Sequence, residues 1–185
     1  MTVTRQNSQD SAKSPQEVSD FLTSDSILRL FGYWCAKRNG RSMPARRDID
    51  PLEIPWALSK IFLIDFEPPE TFRYRLAGEE ISDVFGKNLK GCTLQDILSP
   101  EGCERVTERW MNLVETRSII AMKGLVYLPA DRIPLGERIL LPLAEIPGGP
   151  VTGLVGMTEC EWISGPMTEE YKLADIELYP VAGLP

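Results

Sequence analysis

The chain predicts an α+β fold: a five-stranded antiparallel sheet with short helices on one face and an additional N-terminal helix. Three observations carry that expectation. Phe72, Tyr74 and Leu76 alternate with Arg73 and Arg75, the period-two pattern of a half-buried strand. Cys103, Val106, Trp110, Leu113 and Val114 recur at helical spacing behind a Ser99-Pro100 start, where serine caps and proline takes the first helical position. Late in the chain, Pro147-Gly148-Gly149-Pro150 separates two strand-like runs and suits a hairpin. Strands and helices that come in groups, not in β-α alternation, argue for one sheet with a helical flank.

Taken in order, residues 1–22 are expected to form a disordered tail. Residues 1–20 are rich in polar side chains and nearly devoid of large apolar ones. A helix is expected over 24–39. Ser24 or Asp25 can cap it, Ile27, Leu30, Phe31 and Trp34 form one face, and Gly40 can end it. The run 41–55 carries Pro44, Pro51 and Pro55 and reads as an extended connection, so helix and connection make a unit over 23–56. The next run, IFLIDFE at 61–67, is apolar on both faces and belongs in the middle of a sheet. Glu67-Pro68-Pro69-Glu70 then turns the chain into a second strand over 71–77.

Gly78 stops that strand. Ile81, Val84 and Phe85 follow at helical spacing, Gly86 closes the turn, and Leu89, Leu94, Ile97 and Leu98 continue as a short apolar-faced segment. The helix from Ser99 to about Arg117 places Glu101, Glu104, Arg105, Glu108 and Arg109 off its apolar stripe, as on a solvated face. Strands over 118–128, 137–146 and 151–162 complete a domain spanning 57–162, with a loop at 129–136. The tail, 163–185, holds a short helix near 168–176.

The 185 residues suffice for one domain with a real core. A net charge of −7 argues against nucleic-acid binding, since a polyanion is repelled over most of the surface. No apolar run approaches the ~18–20 residues that span a bilayer. The N-terminus also lacks the apolar core of a secretory signal. A cytoplasmic protein with no membrane contact is the expectation. Cys35, Cys92, Cys103 and Cys160 match no zinc spacing and read as reduced, packed thiols. The absence of histidine removes the commonest general base and the usual haem and metal ligand. No catalytic residue and no metal ligand is therefore assigned, and an enzyme is not expected.

Several stretches, in order, carry a resemblance. They are Trp34-x-x-Lys37-Arg38-x-Gly40-Arg41, Pro44-x-Arg46-Arg47-Asp48-Ile49-Asp50-Pro51, Ile61-Phe62-Leu63-Ile64, and Phe72-Arg73-Tyr74-Arg75-Leu76-Ala77-Gly78 followed by Gly86-x-x-Leu89-x-Gly91. Across about residues 27–160 the chain resembles the PAS domain, in particular small stand-alone bacterial PAS proteins. The resemblance implies a PAS-like sheet and a sensory or interaction role in signal transduction. It further implies a small ligand held between sheet and short helices, or docking and homodimerisation through the outer sheet face and flanking helix. Output would pass through a signalling partner.

Flavin photosensors of that family are similar to one another at G-x-N-C-R-F-L-Q. Here Leu89 stands at the cysteine position and Cys92 comes three residues later. Each residue turns a helix by ~100°, so a flavin adduct is disfavoured. Missing histidine disfavours haem in the same way, although Met122 could in principle ligate. The cofactor is left open.

Phe62, Tyr74, Val84, Phe85, Leu94, Trp110, Met122 and Val126 are the candidate lining of a cavity for a small apolar ligand, with ordinary core packing as the alternative for each. Ile27, Phe31 and Trp34 are the candidate docking face of the N-terminal helix, which could equally pack on its own sheet. Arg46 and Arg47, in a cationic run with Lys37, Arg38 and Arg41, could contact an anion or an acidic partner. Pairing with Asp48, Asp50 and Glu53 is the simpler reading. Asp65, inside an apolar strand, is expected to pair with Arg73 or Arg75 across the sheet. The competing functions are a ligand-sensing module, a ligand-free docking module, and, with least support, a carboxylate-dependent enzyme.

Overall fold

Ile61, Phe62, Leu63 and Ile64 are buried in succession, which a strand achieves only when both faces of its sheet are covered. The computed structural model describes residues 15–127, 133–165 and 174–183 and shows that cover. Its elements run α1 (Pro15–Phe21), α2 (Asp25–Arg38), β1 (Ile61–Glu67), β2 (Thr71–Ala77), α3 (Glu79–Val84), α4 (Pro100–Thr116), β3 (Ser118–Leu125), β4 (Ile133–Leu143), β5 (Gly153–Ile163) and β6 (Asp175–Pro180). The strands form one antiparallel sheet in the order β2-β1-β5-β4-β3-β6. Helices α3 and α4 flank one face, and α2 lies on β4 and β5. The fold is α+β, as expected.

β1 and β2 occupy the predicted positions, and Ser24 and Ser99 cap α2 and α4 by accepting from Ile27 N and Gly102 N. Asn39 and then Gly40 take positive φ and end α2. On β2 the alternation holds, with Phe72 and Tyr74 buried. Arg73 binds Glu67 and Arg75 binds Asp65, each at 2.8 Å, so Asp65 is a structural partner. The open edge of β2 is covered by the segment behind α3: Gly91 N donates to Tyr74 O and Tyr74 N to Cys92 O.

Several expectations need correction. The region foreseen as a disordered tail carries α1 from Pro15, whose Val18 is buried and whose Glu17 carbonyl accepts from the Tyr179 hydroxyl. Among the described residues the sheet has six strands, because β6 pairs with β3 where a C-terminal tail was expected. The helix expected near 168–176 falls largely outside the described residues, and its last two positions open β6. β4 begins at Ile133, inside the predicted loop, and β3 ends earlier than predicted. Gly136 looked like a loop glycine, yet a side chain there would strike the Glu159 carbonyl and Cys160. Its bareness lets β4 and β5 approach.

The outer face of the sheet holds α2 by charge as well as by packing. Glu137 on β4 and Glu159 on β5 are cross-strand neighbours, an arrangement that is unfavourable for two carboxylates alone. Both point their charge at the N-terminus of α2, where unpaired backbone N–H groups need acceptors. Glu137 accepts from Thr23 N, Thr23 Oγ1, Ser24 N and Lys123 Nζ at 2.8–3.0 Å. Glu159 accepts from the Ser24 and Ser26 hydroxyls and from Lys60 Nζ.

Burial pushes both carboxyls up, but these donors outweigh it and hold Glu137 below the usual range and Glu159 at about 2. A folded-state pKa below the unfolded one stabilises the fold above the unfolded value and ceases to do so as pH falls through the folded one. Stability is therefore expected to decline from about pH 5 toward about pH 2. Thermal melts should show a shallower decline in a Glu137→Gln/Glu159→Gln double variant. An unchanged slope would remove these two groups from the account.

Candidate functional site

The helical face of the sheet is not filled to the floor. A cavity of about 620 Å³ lies between β1, β2, β3 and β4 on one side and α3, α4 and the segment joining them on the other. Phe62 forms its base, with the ring lying over Gly156, where any side chain would occupy the same space. That ring stacks on Trp110 at 6.4 Å and meets Tyr74 at 6.1 Å. Trp110 is fixed edge-on by Phe72 at 5.2 Å. Aromatic pairs at these separations hold geometry as well as burying area.

All eight residues foreseen as a lining border this cavity: Phe62 and Tyr74 from β1 and β2, Val84 and Phe85 from α3 and its end, Leu94 beyond it, Trp110 from α4, and Met122 and Val126 at β3. The period of each element explains why they meet. Phe62 and Tyr74 lie on the inward side of their strands, and Trp110 sits on the apolar stripe of α4.

The polar part of the wall was not foreseen. Arg105 and Arg109, read as a solvated face, border the cavity together with Arg138 of β4 and Tyr127. Arg105 and Arg109 stand four apart on α4 and flank the Val106 and Trp110 stripe, which is the signal that could have found them. Arg138 donates from Nε to Thr158 Oγ1 at 2.8 Å, and its guanidinium lies 4.4 Å from the centre of the Tyr127 ring. Arg109 reaches Met122 Sδ at 3.8 Å. Burial, with Arg138 and Arg105 nearby, holds Arg109 below the ordinary arginine value. Burial pushes the Tyr74 hydroxyl well up, with Arg138 opposing, so it stays a neutral phenol.

The docking face expected on the N-terminal helix is used internally. Ile27, Phe31 and Trp34 are buried against the sheet, and Trp34 Nε1 donates to Pro142 O at 3.0 Å. They are packing residues in this arrangement, because the outer face of β4 and β5 would otherwise lie bare. The cationic run is largely satisfied nearby: Lys37 pairs with Glu53 at 2.5 Å and Arg41 with Asp48 at 2.6 Å. Arg46 and Arg47 sit on the 3-10 turn Arg46–Asp48, Arg47 exposed and Arg46 half-buried, away from the cavity.

Cys92 is half-buried and turned to Asn88 O. Burial pushes the Cys35 and Cys160 thiols up, the direction opposite to an activated thiolate. Among the described residues no helix is long and apolar enough to cross a membrane, and no cluster of metal-binding side chains occurs.

A family model for the PAS domain matches residues 22–157, which takes in α2, β1 to β4, the first half of β5 and the whole helical flank. No curated protein and no solved structure matches the chain.

Proposed function

Since the chain belongs to the PAS domain family, we propose that it is a sensory and regulatory domain whose cavity takes a small organic ligand and whose bound state is read by a signalling partner. The observation that carries this reading is the cavity itself. Protein cores are close-packed, with few voids larger than a water molecule. A space of about 620 Å³ falls within the ~300–1,000 Å³ of small-molecule sites, with apolar walls and a few polar groups. A ligand-free docking module would be expected to fill it.

Ligand and partner are linked only if the ligand binds two arrangements of the protein with different affinity. The short α3 and the 3-10 turn Leu94–Asp96 are the elements that could rearrange, being the shortest pieces of the cavity wall, held by the buried Ile81, Leu89 and Leu94 and by hydrogen bonds at Tyr74, Gly91 and Cys92.

Native mass spectrometry of the freshly purified chain tests the reading. A retained non-covalent mass, lost in a variant with the cavity filled by Val126→Trp, is the expected result. Bare polypeptide under gentle conditions, with no small molecule restoring a bound mass on addition of cell extract, would overturn it.

A further inference from the structure

The cavity is charged in an unusual way. Three arginines border it, and among the described lining residues there is no aspartate or glutamate. Charged side chains in partly buried positions are ordinarily paired, because an unpaired one forfeits hydration without return. Half-buried Lys37, Arg41 and Lys60 follow that rule, each holding a carboxylate. Arg109 instead has a thioether sulfur, a weak acceptor, and Arg138 has one threonine hydroxyl through Nε. Tyr127 adds a buried hydroxyl with no hydrogen-bond partner at the same wall.

We propose, resting on the reading of the cavity as a ligand site, that its occupant is an amphipathic organic carboxylate. The carboxylate head is held by Arg109 and Arg138, and the aliphatic or aromatic body lies along Phe62, Trp110 and Val126. Arg105 is exposed, so it stands where the cavity meets solvent and attracts the anion on its way in. The planar guanidinium fork matches a carboxylate with two parallel hydrogen bonds. One anion would relieve the repulsion among the cations and give Arg109 a charged acceptor in place of the Met122 sulfur. The largely apolar remainder of the wall recognises the body and gives a bare inorganic anion little to hold.

Calorimetric titration of the full chain provides the test, using matched pairs that differ in charge: decanoate against decanol, and phenylacetate against phenylethanol. The acid of at least one pair is expected to bind about tenfold or more tightly than its alcohol, the worth of a charge-assisted hydrogen bond. Arg109→Gln and Arg138→Gln should each shrink that difference severalfold, by weakening the acid more than the alcohol. The ligand-free Arg109→Gln protein should melt no lower than the native chain, because it sheds an unpaired charge. A lower melting temperature would make Arg109 a structural residue and count against the proposal. Equal binding of acid and alcohol would sink anion recognition while leaving a ligand cavity. Inorganic phosphate binding as tightly as decanoate would remove the need for an apolar body. If none of the probes binds and the purified chain also carries no mass, the cavity reading falls and this inference with it.

Discussion

Trp34→Ala is expected to destabilise the fold by about 3–5 kcal/mol, the range for deleting a large aromatic side chain from a core. Trp34 is fully buried, at 0% exposure, between α2 and the outer face of the sheet. Its indole N–H donates to the Pro142 carbonyl, and its ring lies 5.6 Å from the Arg38 guanidinium. Truncation leaves a void that α2 cannot close, because the helix is pinned at its N-terminus by Glu137 and Glu159. The Pro142 carbonyl also loses a donor, and a buried acceptor without a partner adds to the cost. Urea denaturation at neutral pH measures the loss. A value below about 1 kcal/mol would mean that α2 is peripheral to the cooperative unit.

Trp110→Ala is expected to cost a similar amount, about 3–5 kcal/mol, from the opposite face. The side chain is 3% exposed and joins Phe62 to Phe72. The two substitutions differ in what else they touch. Trp110 borders the cavity and Trp34 does not. At a temperature where both variants remain folded, Trp110→Ala should also weaken binding of any cavity occupant, and Trp34→Ala should leave binding near native. Loss of binding in both would show that the two faces of the sheet are not energetically separable. Stability loss below about 1 kcal/mol in Trp110→Ala would place the residue outside the core.

The parts of this fold legible in the sequence are those set by local periodicity and by local caps. β1 and β2 follow from an apolar run and a clean alternation, and α2 and α4 from Ser24 and Ser99 ahead of apolar stripes. The parts missed depend on partners far along the chain. β6 is a six-residue strand that exists because β3 offers an edge to it. Its alternation of Ile176 and Leu178 is too short to distinguish from a helical turn. The start of β4 was masked by Pro134 and Gly136, turn formers by composition, although the close approach of β5 is what demands the glycine.

The candidate site divides the same way. Its apolar lining was readable because large apolar residues on inward faces must meet. Its arginines were not, since sequence ranks a charge as exposed and cannot show that α4 turns Arg105 and Arg109 toward a hollow. The stripe on α2 was left between two readings for the converse reason: an amphipathic stripe is the same whether its cover is a second chain or the sheet behind it.

At one rung of the sheet, Arg138 stands opposite Thr158 and the next rung sets Glu137 opposite Glu159. Successive side chains of a strand leave on opposite sides, so Arg138, held by the Thr158 hydroxyl, borders the hollow while the two carboxylates grip the leading end of α2. Hollow and grip are thus separated by the span of a single peptide unit. A shift in strand twist at one of them is imposed on the other, and α2 is bolted to the very plank whose underside faces the cavity.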